Sequence, residues 1–129
     1  MKRSLVLYVI MLALLVGCDQ DPFGFNEKEI SGNYLLEIWE DGSTYYIIEK
    51  GVERDGGGVI DGTVLEIGWS EDFIIAKRYA NFRGDLDGWM IVDVRREAVE
   101  GPFTDEAIKT KSQAQGMDFM SAQEAWEKL

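Results

Sequence analysis

The chain contains no histidine and only one cysteine among its 129 residues. The absence of histidine removes the commonest general base and the commonest neutral metal ligand. A single cysteine permits neither an intramolecular disulfide nor a cysteine-based zinc site. We therefore expect packing and backbone hydrogen bonds to hold the fold together, and we expect no cofactor.

Basic residues are also scarce, with 13 Lys and Arg against 24 Asp and Glu, for a formal charge of −11. Removal of residues 1–17, which carry two basic residues and no acid, would change this to −13. Such a surface repels nucleic acids and attracts basic proteins or cations. We expect no nucleic-acid partner, and a basic protein is a candidate partner. The simpler alternative is that acidity only keeps the domain soluble.

Long apolar runs are absent except at the start of the chain. Lys2 and Arg3 precede the apolar residues 5–16, and the small residue Gly17 follows. This layout is typical of a secretory signal peptide. The run is short for a transmembrane helix, which needs about 20 apolar residues. The sequence thus predicts a signal peptide at 1–17.

Leu15, Val16, Gly17 and Cys18 together resemble the lipobox of bacterial lipoproteins. The resemblance implies that Cys18 is acylated, becomes the first residue after cleavage and anchors the chain to the membrane. Asp19 then resembles an enterobacterial inner-membrane retention signal, which favours the inner membrane where that sorting rule applies. An ordinary secretory peptide or an uncleaved anchor is the alternative.

After a lipidated tether at 18–29, residues 30–129 are predicted to form one α+β domain. The expected core is a five-stranded antiparallel β-meander. The sequence does not decide whether this sheet is open, curled or partly barrel-like. The two first strands flank Asp41-Gly42, a pair typical of a type I′ hairpin turn. The predicted strands are NYLLEIWE, STYYIIEK, TVLEIGW, FIIAKRY and WMIVDV.

Strict alternation along TVLEIGW places Thr63, Leu65, Ile67 and Trp69 on one face of the third predicted strand. Near the C-terminus the apolar residues no longer alternate with period two, and two short helices are expected there.

Thr104 is the expected N-cap of the first helix, and Asp105 and Glu106 in its first turn suit the positive end of the helix dipole. Phe103 and Ile108 have the spacing of a hydrophobic staple. The second helix begins with the capping-box pattern SAQE at 121–124.

The body of the chain is similar to a group of small, uncharacterised bacterial proteins that are often predicted lipoproteins. In that group a W-x-x-x-[FY]-I element precedes a strand ending in I-[IV]-D, and G-P-[FL]-[ST]-x-E opens a helix. The matching residues are Trp69, Phe73, Ile74, Ile91, Val92, Asp93, Gly101, Pro102, Phe103, Thr104 and Glu106. The resemblance supports the order of elements and implies no activity.

Two small sets of residues are candidates for binding. Asp85 and Asp87 form a D-x-D-G segment that suits a hard cation, although position twelve from Asp85 is Arg96 rather than the glutamate of a calcium loop. A hairpin turn is the simpler interpretation. Tyr45 and Tyr46 should face opposite sides of their strand, so we expect one of them to be exposed for protein contact.

Paired carboxylates could in principle perform glycosidase chemistry, and the candidates are Glu37, Glu66 and Asp93. Glu37 and Glu66 are expected on the strand faces that point away from the apolar residues, so exposure to solvent is the simpler interpretation. Asp93 lies between two valines and is expected to pair with Arg78 or Arg95.

The combined pattern predicts a membrane-anchored, non-enzymatic binding domain on the extracytoplasmic side of the membrane. The alternative is an acidic inhibitor or immunity-type protein that acts against a basic lysozyme or toxin. A carboxylate-based hydrolase and an assembly role are further alternatives.

Overall fold

The computed structural model describes residues 26–52, 58–60, 62–80 and 85–129. The expected signal peptide, Cys18 and Asp19 lie outside the described residues. The strands are β1 (Glu27–Ser31), β2 (Tyr34–Ile38), β3 (Tyr45–Glu49), β4 (Thr63–Trp69), β5 (Phe73–Tyr79), β6 (Gly88–Asp93), β7 (Ala98–Phe103) and β8 (Met120–Ser121). The helices are α1 (Asp105–Thr110) and α2 (Ala122–Lys128), with a 3₁₀ turn (Ser112–Ala114) between them.

The strands divide into two sheets. The first sheet has the order β1-β2-β3, and the second has the order β7-β6-β5-β4-β8. Every strand pair is antiparallel. The α+β class is therefore confirmed in outline, since antiparallel sheets are followed by two short helices.

The single five-stranded meander is a wrong prediction, because β2 and β3 form a separate sheet with β1, in which β2 is the central strand, and do not pair with the later strands. Each sheet has two different edge strands among the described residues, so neither sheet closes on itself. β4 belongs to the second sheet, and shortly before it Val59 N donates a hydrogen bond to Ile47 O of β3 at 2.7 Å. β1 also includes residues 27–29, which the sequence placed in the tether.

The main core lies between the two sheets and is closed at one side by α2. This arrangement lets one face of each sheet lose contact with water, which is the principal stabilising contribution to such a fold. Its buried members include Tyr34, Leu36, Tyr45, Ile47, Ile60, Val64, Ile67, Ile74, Ala76, Met90, Val92, Ala122 and Ala125. We call this side of the second sheet its inner face.

The opposite side of the second sheet, its helix face, carries a smaller apolar cluster. Ile75, Trp89 and Ile91 pack there with Ile108 of α1, and Phe103 is partly buried against them. Phe103 and Ile108, the two residues with the spacing of a hydrophobic staple, thus belong to the same apolar cluster. α1 thus covers part of one sheet face, and this placement creates the groove described below.

The two predicted helix starts are confirmed by their caps. Thr104 Oγ1 accepts a hydrogen bond from Ala107 N at 3.1 Å. At α2, Ser121 and Glu124 form a reciprocal capping box, with Glu124 N donating to Ser121 Oγ and Ser121 N to the Glu124 carboxylate. No helix formed by the described residues is long and apolar enough to cross a membrane.

The β2–β3 hairpin forms as expected, but its turn is not type I′. That turn needs positive φ at both central residues, and here Gly42 has φ of +71° while Asp41 does not have positive φ. Instead the Asp41 carboxylate accepts hydrogen bonds from Ser43 N and Thr44 N, both at 2.9 Å, and from the Thr44 hydroxyl. These bonds lower the pKa of Asp41, the Thr44 hydroxyl contributing most.

A β-bulge in β4 breaks the alternation that the sequence suggested. Val64 is opposite Arg78 and Glu66 is opposite Lys77, so Leu65 is the extra residue. Val64 and Ile67 are buried, whereas Leu65 is 45% exposed. The predicted common face of Thr63, Leu65, Ile67 and Trp69 is therefore wrong at Thr63 and Leu65, because Val64 instead faces the core with Ile67.

Candidate functional site

A groove of about 480 Å³ lies on the helix face of the second sheet, where α1 and the segment after it leave the sheet uncovered. Strands β4 and β6 contribute one wall, and α1 with the following segment contributes the other. Its lining residues are Glu66, Trp89, Asp105, Ile108, Lys109, Ala114, Gln115, Gly116 and Phe119. Its volume falls within the range of small-ligand and side-chain pockets, about 300–1,000 Å³.

One wall is organised around the carboxylate of Asp105 at the start of α1. Its Oδ1 atom accepts a hydrogen bond from Trp89 Nε1 at 2.7 Å and lies 3.2 Å from Lys77 Nζ. The same Lys77 ammonium lies 5.8 Å from the centroid of the Trp89 ring. Trp89, Lys77 and Asp105 therefore form one connected cluster, although Asp105 itself is largely exposed.

These contacts favour the charged form of Asp105. The hydrogen bond from Trp89 is the largest cause of a lowered pKa, and the hydrogen bond and charge of Lys77 add to it. An aspartate is ionised at neutral pH in any case, and these contacts further stabilise its charged form, which attracts cations and accepts hydrogen bonds. The Lys77 ammonium already provides the partner for this charge.

The second aromatic ring of the groove belongs to Phe119. It meets Trp89 edge-on, with ring centroids 5.2 Å apart, and it stays 38% exposed. Gly68 of β4 permits this approach, because a Cβ atom there would lie 2.7 Å from Asp118 O and 2.9 Å from Phe119 Cδ1. The absence of a side chain at position 68 thus allows the segment that contains Phe119 to lie close against the sheet.

Both Tyr45 and Tyr46 are buried, so the expectation that one of them is exposed is wrong. Tyr45 faces the main core and packs on Trp126 at 6.3 Å between ring centroids. Tyr46 faces the other way, but Trp39 covers it at 5.4 Å. The exposed aromatic residue of this hairpin is Trp39 itself, at 50%.

The two aspartates proposed as cation ligands lie before β6. Asp87 Oδ1 accepts a hydrogen bond from Ala80 N at 2.8 Å, which ties the two ends of the β5–β6 connection. Asp85 is exposed nearby. Among the residues that the structure describes, no group of three or more Cys, Asp or Glu side chains is arranged to hold a metal ion. The turn interpretation therefore accounts for Asp87.

The three carboxylates considered for hydrolysis are not brought together. Glu66 lies in the groove, and Glu37 belongs to the first sheet. Asp93 and Glu66 lie on the same helix face of the second sheet. On β5, however, Asp93 is opposite Phe73 and Glu66 is opposite Lys77. Four residues separate these two positions, which is about 13 Å along a strand. Asp93 bonds Arg96 rather than the expected Arg78 or Arg95, accepting from Arg96 N at 3.0 Å.

Glu37 has an unfavourable neighbour instead. It lies directly opposite Glu27 in the β1–β2 register. Burial, followed by the charge of Glu27, raises the pKa of Glu37 above its ordinary value of 4.5. The folded state therefore holds this proton more tightly than the unfolded state. The contribution of Glu37 to the stability of the fold must therefore fall as pH rises from its unfolded-state pKa through its higher folded-state pKa.

We expect Glu37→Gln to raise the free energy of unfolding by about 0.5 kcal/mol at neutral pH, because like charges opposed across strands are destabilising. The gain should vanish near pH 3, where both states are protonated. Urea denaturation from acidic to neutral pH checks this. The exposed Glu40→Gln is the control, and an equal gain in both variants would point to net charge alone.

The groove escaped sequence reasoning because its residues meet only through tertiary contacts. Trp89 is opposite Phe103 in the β6–β7 register, which brings Trp89 next to the start of α1. β7 itself was not predicted, because its sequence AVEGPF contains Gly101 and Pro102, and these residue types usually interrupt strands. Asp105 was recognised only as an acid at a helix start. The signal in the sequence was that two aromatic residues, Trp89 and Phe103, lie on either side of the short turn that joins β6 to β7.

Searches of protein-family models, curated proteins and solved structures find nothing that matches this chain. The resemblance of its body to a group of uncharacterised bacterial proteins therefore remains a prediction.

Proposed function

We propose that this protein is a lipid-anchored, non-enzymatic binding domain on the extracytoplasmic side of a bacterial cell membrane. The observation that carries the proposal is the lipobox-like sequence Leu15-Val16-Gly17-Cys18 directly after a basic and apolar segment. Acyl chains on Cys18 would provide the anchor. Asp19 favours retention at the inner membrane under the enterobacterial rule.

The described part of the chain is compatible with binding. The groove carries a half-exposed Phe119 beside Trp89, and aromatic residues of this kind are enriched where proteins bind one another. Its two walls come from a sheet and a capped helix, which would keep the groove shaped in the absence of a ligand. The proposal assigns recognition to this groove and membrane attachment to Cys18.

The second candidate function is an acidic inhibitor or immunity-type protein that blocks a basic lysozyme or toxin. The observation that favours it is the formal charge of −11, or −13 once residues 1–17 are removed. A charge of this size would steer a basic protein toward the domain. In this version the anchored domain protects the envelope from the partner that it binds.

Cys18→Ser is expected to abolish acylation. The full chain is produced in a bacterial host with radiolabelled palmitate, and label and chain length are measured in the membrane fraction. The unchanged chain should carry label and lose residues 1–17, whereas the variant should carry none. The variant must be judged by label and length, because an uncleaved apolar segment could still hold it in the membrane.

Gln20→Ser is the matched control, since it changes a polar residue two positions after Cys18 and keeps the lipobox-like sequence. It should be labelled like the unchanged chain. Absence of label from the unchanged chain, or undiminished label on the Cys18→Ser variant, would refute lipid attachment at this residue.

A further inference from the structure

One acid that lines the groove, Glu66, has no charge partner in the described part of the chain. Glu66 is exposed at the groove, and among the described residues its carboxylate makes no hydrogen bond or ion pair, whereas Asp105 is bonded by Trp89 and Lys77. Glu66 lies opposite Lys77 in the β4–β5 register, yet the Lys77 ammonium turns to Asp105. As far as the described residues go, the groove therefore offers an unpaired negative charge on its β4 side.

The rest of the groove is suited to an aliphatic chain. Ile108 and Ala114 line it, and the exposed part of Phe119 adds an aromatic surface held in place by the close approach at Gly68. Apolar walls that end in a carboxylate complement a long side chain with an apolar stem and a cationic head. Lysine and arginine are the two side chains with that form.

Lys77 is an intramolecular example of the same recognition. Its ammonium is held between the Asp105 carboxylate and the Trp89 ring, at 3.2 Å and 5.8 Å respectively. Lys109 lines the α1 side of the groove and repels a second cation there. An incoming cation is consequently directed to the β4 side, toward Glu66.

We propose that the groove binds an arginine side chain presented by a basic protein partner, with Glu66 receiving the guanidinium and Phe119 and Ile108 contacting the stem. Arginine is favoured over lysine because its planar fork can donate two hydrogen bonds to one carboxylate. The inference rests on the proposed binding function and specifies its partner. The net charge of −11 supplies the long-range attraction for the same class of partner.

The test uses the full chain in non-ionic detergent micelles and a fluorescently labelled hexa-arginine peptide, with binding followed by anisotropy. Glu66→Gln should weaken binding about tenfold, the loss of one charge-assisted contact. Glu71→Gln is the control, because it removes one exposed acid in the β4–β5 turn and changes net charge equally. It should alter binding less than twofold.

A hexa-lysine peptide of equal charge should bind several-fold more weakly than hexa-arginine, and Glu66→Gln should remove most of that difference. Equal losses in both acid variants would overturn the inference, since attraction by net charge alone would then explain binding. No binding of hexa-arginine to the unchanged chain would overturn it as well. Because labelling at Cys18 is measured separately, failure of the anchor and failure of this site remain distinguishable.

Discussion

Replacing Ile67 with alanine is expected to lower the free energy of unfolding by about 3 kcal/mol. Ile67 is completely buried in the core between the two sheets, where it packs in one cluster with residues of both sheets and α2. The change removes three carbons and leaves a cavity that tightly packed strands cannot fill. Urea denaturation of the two chains at neutral pH, followed by tryptophan fluorescence, measures the difference.

Leu65→Ala is the sharp control, because alternation alone would place Leu65 on the same buried face as Ile67. The bulge leaves Leu65 45% exposed, so its truncation should change stability by no more than about 0.5 kcal/mol. Comparable losses at both positions would contradict the bulge and restore regular alternation in β4.

Replacing Arg78 with methionine is expected to cost about 2 kcal/mol of unfolding free energy. Arg78 is only 6% exposed, and its Nε and Nη2 atoms donate to Leu86 O at 3.3 Å and 3.1 Å. Methionine preserves most of the apolar stem but cannot donate, so the Leu86 carbonyl loses a charged partner. The connection before β6 should loosen, which amide hydrogen exchange at residues 85–88 would detect.

Arg95→Met is the control for this substitution. Arg95 is an exposed arginine whose Nε lies 2.6 Å from Asp72 Oδ1, and surface ion pairs contribute little. Its loss should cost less than about 1 kcal/mol and leave exchange at residues 85–88 unchanged. If both arginine variants lose the same stability, the buried position of Arg78 has no special role.

The strands and caps were accessible from sequence because their causes are local. The apolar and β-branched text of β2 through β6 predicts five extended segments, and the side-chain oxygens of Thr104 and Ser121 predict two helix starts. Local patterns fail where a single residue shifts register. The bulge at Leu65 is such a case, since nothing in TVLEIGW marks the extra residue.

Partner choice between strands was not accessible, because it depends on contacts between distant residues. β4 belongs to a second sheet, and β1 completes the first sheet from a segment whose sequence resembled a tether. The same reason explains the tyrosines. Alternation correctly places Tyr45 and Tyr46 on opposite faces, but both faces are covered, one by Trp126 and one by Trp39.

The sequence by itself determined the charge, the lack of imidazole, the order of β2 through β6 and of the two helices after them, and the expectation of a lipid anchor at Cys18. These properties follow from composition and from neighbouring residues. Only the tertiary structure decided that Asp105 pairs with Lys77 while Glu66, in the same groove, has no partner among the residues that the structure describes. Charges separated by many residues acquire or lack partners only when folding brings their strands into register.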